Sequence, residues 1–108
     1  MELQRITSMI LETSQRINQA TTVIHKQARE KAETEFEYRQ ALAKEITRLK
    51  AENMPVTIIN DVARGSIAEL KLKRDLADGK YRSSIESLKA LQNELSGLQS
   101  ILRIQQDI

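Results

Sequence analysis

The stretch Ala51-Glu52-Asn53-Met54-Pro55-Val56-Thr57-Ile58-Ile59-Asn60-Asp61-Val62-Ala63-Arg64-Gly65-Ser66 holds the only proline of the chain and one of its three glycines. The residues before Asn53 contain neither. Pro55 has no backbone N–H and disfavours α geometry at Met54, so a helix arriving from the N-terminal side ends here. The apolar run from Val56 to Arg64 reads as one or two helical turns. A strand is the alternative, because Val56 to Ile59 is β-branched throughout, but it would find no partner strand elsewhere. Gly65 stands where the C′ residue of a short helix belongs. Ser66 with Glu69 three residues later forms a capping-box signature, which starts a new helix at Ile67.

Upstream of the break, Leu3, Ile6, Ile10, Ile17, Ala20 and Ile24 repeat at helical spacing, with Thr13 interrupting the stripe. The register then drifts through Ala28, Ala32, Phe36, Leu42, Ile46 and Leu49. Residues 26–39 are densely charged, and Glu12–Arg16 and Glu35–Arg39 are i,i+4 pairs worth about 0.3–0.5 kcal/mol each on an exposed face. The spacing predicts a helix over about 3–52, with fraying or a bend at Thr21-Thr22-Val23. Downstream, positions 67, 70, 74, 77, 81, 84, 88, 91, 95, 98, 102 and 105 form the strongest repeat of the chain. Leu88, Leu91, Leu95, Leu98 and Leu102 alternate at spacings of three and four, the seam of a coiled coil, and Ile85, Ile101, Ile104 and Ile108 widen it. A second helix over about 66–106 follows. Gly97 beside the seam reads either as a point of close helix approach or as a tolerated surface glycine.

The fold expected over residues 1–108 is therefore one all-α domain, a long antiparallel helical hairpin with coiled-coil character. A short helical turn segment (53–65) forms its tip. Each arm would run about 60–75 Å at ~1.5 Å per residue. The apolar stripe is wider than one partner helix needs, so a dimer or four-helix bundle is expected, assembled through the leucine seam.

Composition narrows the function classes. The 108 residues include 17 Lys or Arg against 15 Asp or Glu, three aromatics, one histidine and no cysteine. Disulfides and thiolate metal sites are excluded. No apolar run approaches the ~18 residues of a membrane span, and no signal-peptide pattern opens the chain. His25 has no nucleophile motif near it, and an ordinary surface histidine fits better than a catalytic one. Glu30, Glu33, Glu35 and Glu37 are interleaved with Arg29, Lys31 and Arg39 and lack the Glu-x-x-His spacing of bundle metal sites, so they read as a salt-bridged surface. No cofactor or metal is expected.

Residues 54–74 are mildly basic, with four cationic and two acidic side chains. Arg64, Lys71, Lys73 and Arg74 gather around the turn, beside the apolar group Met54, Val56, Ile58, Ile59 and Val62. Residues 58–75 also admit a helix-turn-helix reading, but the reading helix would continue as a coiled coil and no aromatic platform accompanies it. The candidate partner-binding residues are Val56, Ile58, Ile59 and Arg64 at the tip, with Lys71, Lys73 and Arg74 at the start of the second long helix. The tip is expected to close into a small core on Leu49, Ile67 and Leu70.

One set of motifs carries a resemblance. Glu37-Tyr38-Arg39 with Ala41-Leu42, then Met54 to Gly65, then Ala68 to Lys71 and Lys80-Tyr81-Arg82 resemble small helical proteins encoded by temperate tailed phages and prophages of Gram-positive bacteria. The likeness covers about two thirds of the chain, from Glu35 onward, and the turn motif is its specific part. It implies an early phage product in the host cytoplasm, of a kind that binds and blocks host machinery, including defence nucleases. The expected function is a non-enzymatic protein-interaction module acting on host or phage nucleic-acid enzymes, a CRISPR effector among them. An accessory nucleic-acid binder in phage recombination or replication is the first alternative, and a structural coiled coil in virion assembly the second.

Overall fold

The computed structural model describes residues 2–107; Ile108, which the sequence places on the leucine stripe, lies outside them. Among the described residues the fold is an all-α hairpin of three helices, α1 (Leu3–Ala51), α2 (Val56–Ser66) and α3 (Ala68–Gln106). The expected turn segment is thus a full helix. The contacts divide into two compact units, one joining α1 up to Lys26 to α3 from Arg82 onward, the other spanning Gln27–Tyr81.

In the first unit Ile6, Thr13 and Leu98 are buried, and Leu88, Leu91, Leu95 and Leu102 are half-buried. The leucine seam is therefore engaged within the single chain. Thr13 does not interrupt the stripe but belongs to it, because the register 6, 10, 13, 17, 20 passes through it and its γ-methyl presents apolar surface. α1 also continues unbroken through Thr21-Thr22-Val23, where the two hydroxyls donate back to the carbonyls of Ile17 and Asn18 at 3.0 and 3.4 Å. Arg16, expected to pair with Glu12, reaches Glu94 of α3 at 4.0 Å instead. Gly97 is exposed, and a methyl group there would meet nothing within 4 Å, so it is a surface position.

In the second unit the two long helices run antiparallel. Lys31 pairs with Asp78, Glu35 with Arg74 and Glu37 with Lys73, so contact positions rise along α1 as they fall along α3. α1 ends at Asn53, whose φ of 61° is left-handed. The Asn53 N–H donates to the Lys50 carbonyl at 3.1 Å and the Met54 N–H to the Leu49 carbonyl at 3.2 Å. This is the Schellman arrangement, which satisfies the last carbonyls of the helix, and Asn tolerates the left-handed geometry better than most residues. Met54 folds back onto a cluster formed by Leu49, Ile59 and Ala63, with Leu42 and Ile46 beside it. Pro55 then opens α2 without a side-chain cap.

Several expectations change here. Gly65 is not a left-handed C′ residue but lies inside α2 with ordinary negative φ. Ser66 does not cap α3: its hydroxyl donates back to the Val62 carbonyl at 3.0 Å, as serine does inside a helix. The break falls instead at Ile67 (φ −115°, ψ 25°), whose carbonyl accepts from the N–H groups of Leu70 and Lys71. A one-residue joint is shorter than the turn of a helix-turn-helix. Ala32 and Phe36, read as part of the apolar stripe, point to solvent, Phe36 at 64% exposure. The packed face of α1 there carries Thr34 and Tyr38, both buried, because the 3–4 spacing from Leu42 and Leu49 leads back through 38, 34 and 31, not through 36 and 32. The Thr34 hydroxyl is satisfied by the carbonyls of Glu30 and Lys31 at 2.9 and 3.0 Å.

Thermal or urea unfolding separates these readings of the turn. Asn53→Val, which puts a β-branched residue at positive φ, is expected to cost about 1–2 kcal/mol. Gly65→Ala is expected to stabilise by about 0.5–1 kcal/mol, since a helix-interior position with open space gains from alanine, whereas a left-handed C′ position would lose.

Candidate functional site

α2 is held by two side chains. Ile59, 3% exposed, and Ala63, fully buried, insert into the Leu49 cluster, an i,i+4 pair on one face of an 11-residue helix. Burying Ile59 contributes about 1.5–3 kcal/mol, and an isolated helix of this length would not persist in water. Ile59 thus anchors the tip and is not available to a partner. The remaining apolar residues of α2 face outward: Val56 is 81% exposed, Ile58 45% and Val62 36%. A small core forms on Leu49 as expected, but with Leu42, Ile46 and Met54 beside it in place of Ile67 and Leu70, and surplus apolar surface still remains.

Arg64 stands one residue past Ala63 and is exposed on α2. It borders an open groove of about 530 Å³ whose other walls come from α1 (Glu35, Tyr38, Arg39, Leu42) and from α3 (Lys71, Arg74). Three of the four expected basic residues meet there. Lys73 does not, because it lies on the opposite flank of α3, where its ammonium pairs with Glu37 at 3.2 Å. The α1 wall was not anticipated as a site. Its signal was Tyr38, a large side chain one helical step from Leu42 on the packed face.

The electrostatics of the groove are organised around Glu35. Its carboxylate accepts from the Arg39 Nε at 2.7 Å and lies 3.5 Å from the Arg74 Nε. Arg74 occupies a seam position and lays its guanidinium over the buried Tyr38 ring, 4.1 Å from the centroid. Such a contact is worth about 0.5–1 kcal/mol, and more where water is excluded. Partial burial works against the Arg74 charge, but hydrogen bonds to Asp75 and the attraction of Asp75 and Glu35 outweigh it and leave Arg74 above its ordinary value. Asp75 accepts from Lys71 and from Arg74, each at 3.1 Å. Among the described residues Arg64 forms no ion pair within 4.0 Å.

Elsewhere in this unit Lys31 pairs with Asp78 at 3.4 Å and sits 5.1 Å from the Tyr81 ring centroid. Three of the four carboxylates of the α1 cluster are paired: Glu33 with Arg29 at 3.2 Å, Glu35 with Arg39 and Glu37 with Lys73. Among the described residues no group of three His, Asp or Glu side chains is placed to hold a metal ion, and no helix is long and apolar enough to cross a membrane. His25 is exposed on α1.

No family model, curated protein or solved structure matches the chain.

Two carboxylates around the tip have a measurable consequence. Lys71, then Arg74, hold Asp75 below the ordinary carboxylate range by hydrogen bonding. The hydrogen bond and charge of Arg48 do the same for Glu45, partial burial opposing and the Ser66 hydroxyl assisting. A depressed folded-state pKa means that the unfolded chain takes up protons first as pH falls. Stability is then expected to be level from pH 7 to about pH 5 and to decline below about pH 4, as these groups titrate. Urea midpoints across that range check this, and Asp75→Asn flattens part of the decline.

Proposed function

We propose that this chain is a non-enzymatic protein-interaction module of a phage or prophage, acting in the host cytoplasm through its α2 tip on an enzyme of nucleic-acid metabolism or defence, a CRISPR effector among the candidates. The phage setting rests on the resemblance of the turn motif. The binding role rests on one observation: α2 spends only Ile59 and Ala63 on the core and turns Val56, Ile58, Val62 and Arg64 to solvent. An apolar ridge next to an exposed guanidinium is the residue mixture of a protein-binding patch, where a few apolar and arginine anchors carry most of the affinity. Protein is favoured over nucleic acid because Tyr38, the aromatic of the groove, is buried beneath Arg74 and offers no face for base stacking.

Affinity capture from the host bacterium tests the reading. The tagged protein is expected to retain a host protein, and Ile58→Asp or Arg64→Glu is expected to cut recovery by about tenfold, as loss of one interface anchor would. Gln92→Asp, at an exposed α3 position of the first unit, leaves capture intact. Retention that ignores the tip substitutions contradicts the proposal.

A second reading concerns self-association, which unit one favours independently. With the leucine seam engaged inside the chain, Leu11, Ile101 and Ile104 remain exposed, Ile104 at 63%. We place the homo-oligomer contact on Ile101 and Ile104, which flank the seam, rather than on the seam leucines themselves. Sedimentation velocity is expected to give a species larger than a monomer for the natural chain and a monomer for the Ile101→Asp/Ile104→Asp variant. A monomeric natural chain at micromolar concentration contradicts it.

A further inference from the structure

The groove beside α2 holds four cationic side chains, Arg39, Arg64, Lys71 and Arg74, around a single lining carboxylate, Glu35. That carboxylate sits between two guanidinium groups, 2.7 Å from the Arg39 Nε and 3.5 Å from the Arg74 Nε. It occupies the position that a carboxylate of another molecule would take. We propose that the groove is a receptor for an acidic peptide segment of a protein partner, and that Glu35 is an internal competitor for the incoming carboxylate. The proposal rests on the protein-binding reading of the tip and specifies the chemistry recognised there.

Three observations favour this occupant. First, the cations are unequally committed. Lys71 and Arg74 are shared with Asp75, Arg39 is held by Glu35, and Arg64 has no ion pair among the described residues. An arriving carboxylate meets Arg64 first and gains the Arg39 Nε by displacing Glu35 from it, a charge-assisted contact. Second, a fixed carboxylate in the wall repels a phosphate backbone that must lie along the whole groove, whereas a peptide can aim one or two acidic side chains past it. Third, exposed Val56, Ile58 and Val62 lie on the helix that supplies Arg64, so apolar side chains of the same peptide find a surface within a few residues of its acidic ones. The groove is also preorganised: Arg74 is fixed against Tyr38 and α2 is fixed by Ile59 and Ala63, so little ordering cost falls on the receptor.

The internal competitor makes the proposal specific. Removing a surface acid raises the net charge anywhere on the chain, but only Glu35→Gln also removes the carboxylate that faces both the Arg39 and the Arg74 guanidinium, leaving Arg74 to Asp75. The test is fluorescence anisotropy at low salt with a labelled deca-glutamate peptide, a deca-glutamine control and a deca-thymidylate strand, the full chain being used throughout. The deca-glutamate peptide is expected to bind and the deca-glutamine peptide not. Arg64→Gln is expected to weaken binding about tenfold, and Glu35→Gln to tighten it about three- to tenfold, in line with charge pairs formed at an interface. Lys89→Gln, which removes the same charge from an α3 residue that does not line the groove, changes it by less than about twofold, as an exposed charge outside the contact does. Arg64 is exposed and Glu35→Gln keeps an acceptor for Arg39, and circular dichroism of each variant verifies that the helices persist. Absence of deca-glutamate binding overturns the proposal, as does an equal loss in Lys89→Gln, a Glu35→Gln variant that binds no tighter, or tighter binding of deca-thymidylate. Failure of this assay while tip-dependent capture of a host protein persists removes the acidic-peptide receptor alone. Success of both with the same substitutions supports the two together.

Discussion

The whole α2 tip depends on the packing of Ile59 and Ala63 against Leu49. α2 has 11 residues and no side-chain cap at its start, too little to hold a helix in water without tertiary support. The cluster supplies that support and does two further things. It brings the chain back so that α3 runs antiparallel to α1 in the second unit, and it sets Arg64 on the rim of a groove whose walls come from all three helices. The reversal is prepared one step earlier by Asn53, whose left-handed backbone lets Met54 hydrogen-bond back to Leu49 and fold onto the same cluster.

Much of this architecture was legible in the residues. The α3 register read from the sequence at 70, 74, 77, 81, 84, 88, 91, 95, 98, 102 and 105 is buried or half-buried at every position, with Asp78 and Ile85 added beside it, because leucines at alternating spacing leave one face to bury. The end of α1 was legible because proline has one meaning there. The chemistry of the turn was less so. A left-handed C′ residue is most often glycine, so Gly65 drew that assignment at the end of α2, whereas the left-handed residue among those described is Asn53, at the end of α1. Ser66 was ambiguous in principle, since a serine three residues before a glutamate serves equally well in the last turn of a preceding helix, bonding back to the carbonyl four residues earlier. Glu69 still lies in the first turn of α3, where a negative charge is favourable. Phe36 and Thr13 mislead for a common reason: hydrophobicity was followed where the 3–4 spacing was the better guide.

The groove illustrates a different limit. Each of its basic residues except Arg39 was singled out, and the Glu35–Arg39 pair was read as an exposed i,i+4 contact. Nothing local indicated that the two sets belong together. That follows only from the hairpin register, which sets Glu35 opposite Arg74 and Glu37 opposite Lys73, thirty-odd residues apart in the chain. The same register splits Lys73 from its neighbours, since adjacent residues on a helix face different ways. Ile59, equally apolar to Ile58, was assigned outward with it for want of the same information, and the core takes the residue four before Ala63.

The groove exists only if α2 is a fixed part of the second unit rather than a frayed connection, and amide hydrogen exchange measures this directly. The amides of residues 60–64 are expected to be protected well above free-peptide rates in the natural chain and to lose that protection in Ile59→Ala, while the amides of α1 between residues 34 and 46 keep theirs. Free-peptide exchange across α2 in the natural chain would contradict it, because a groove wall that is not folded cannot hold Arg64 at the groove that Glu35 and Arg39 line.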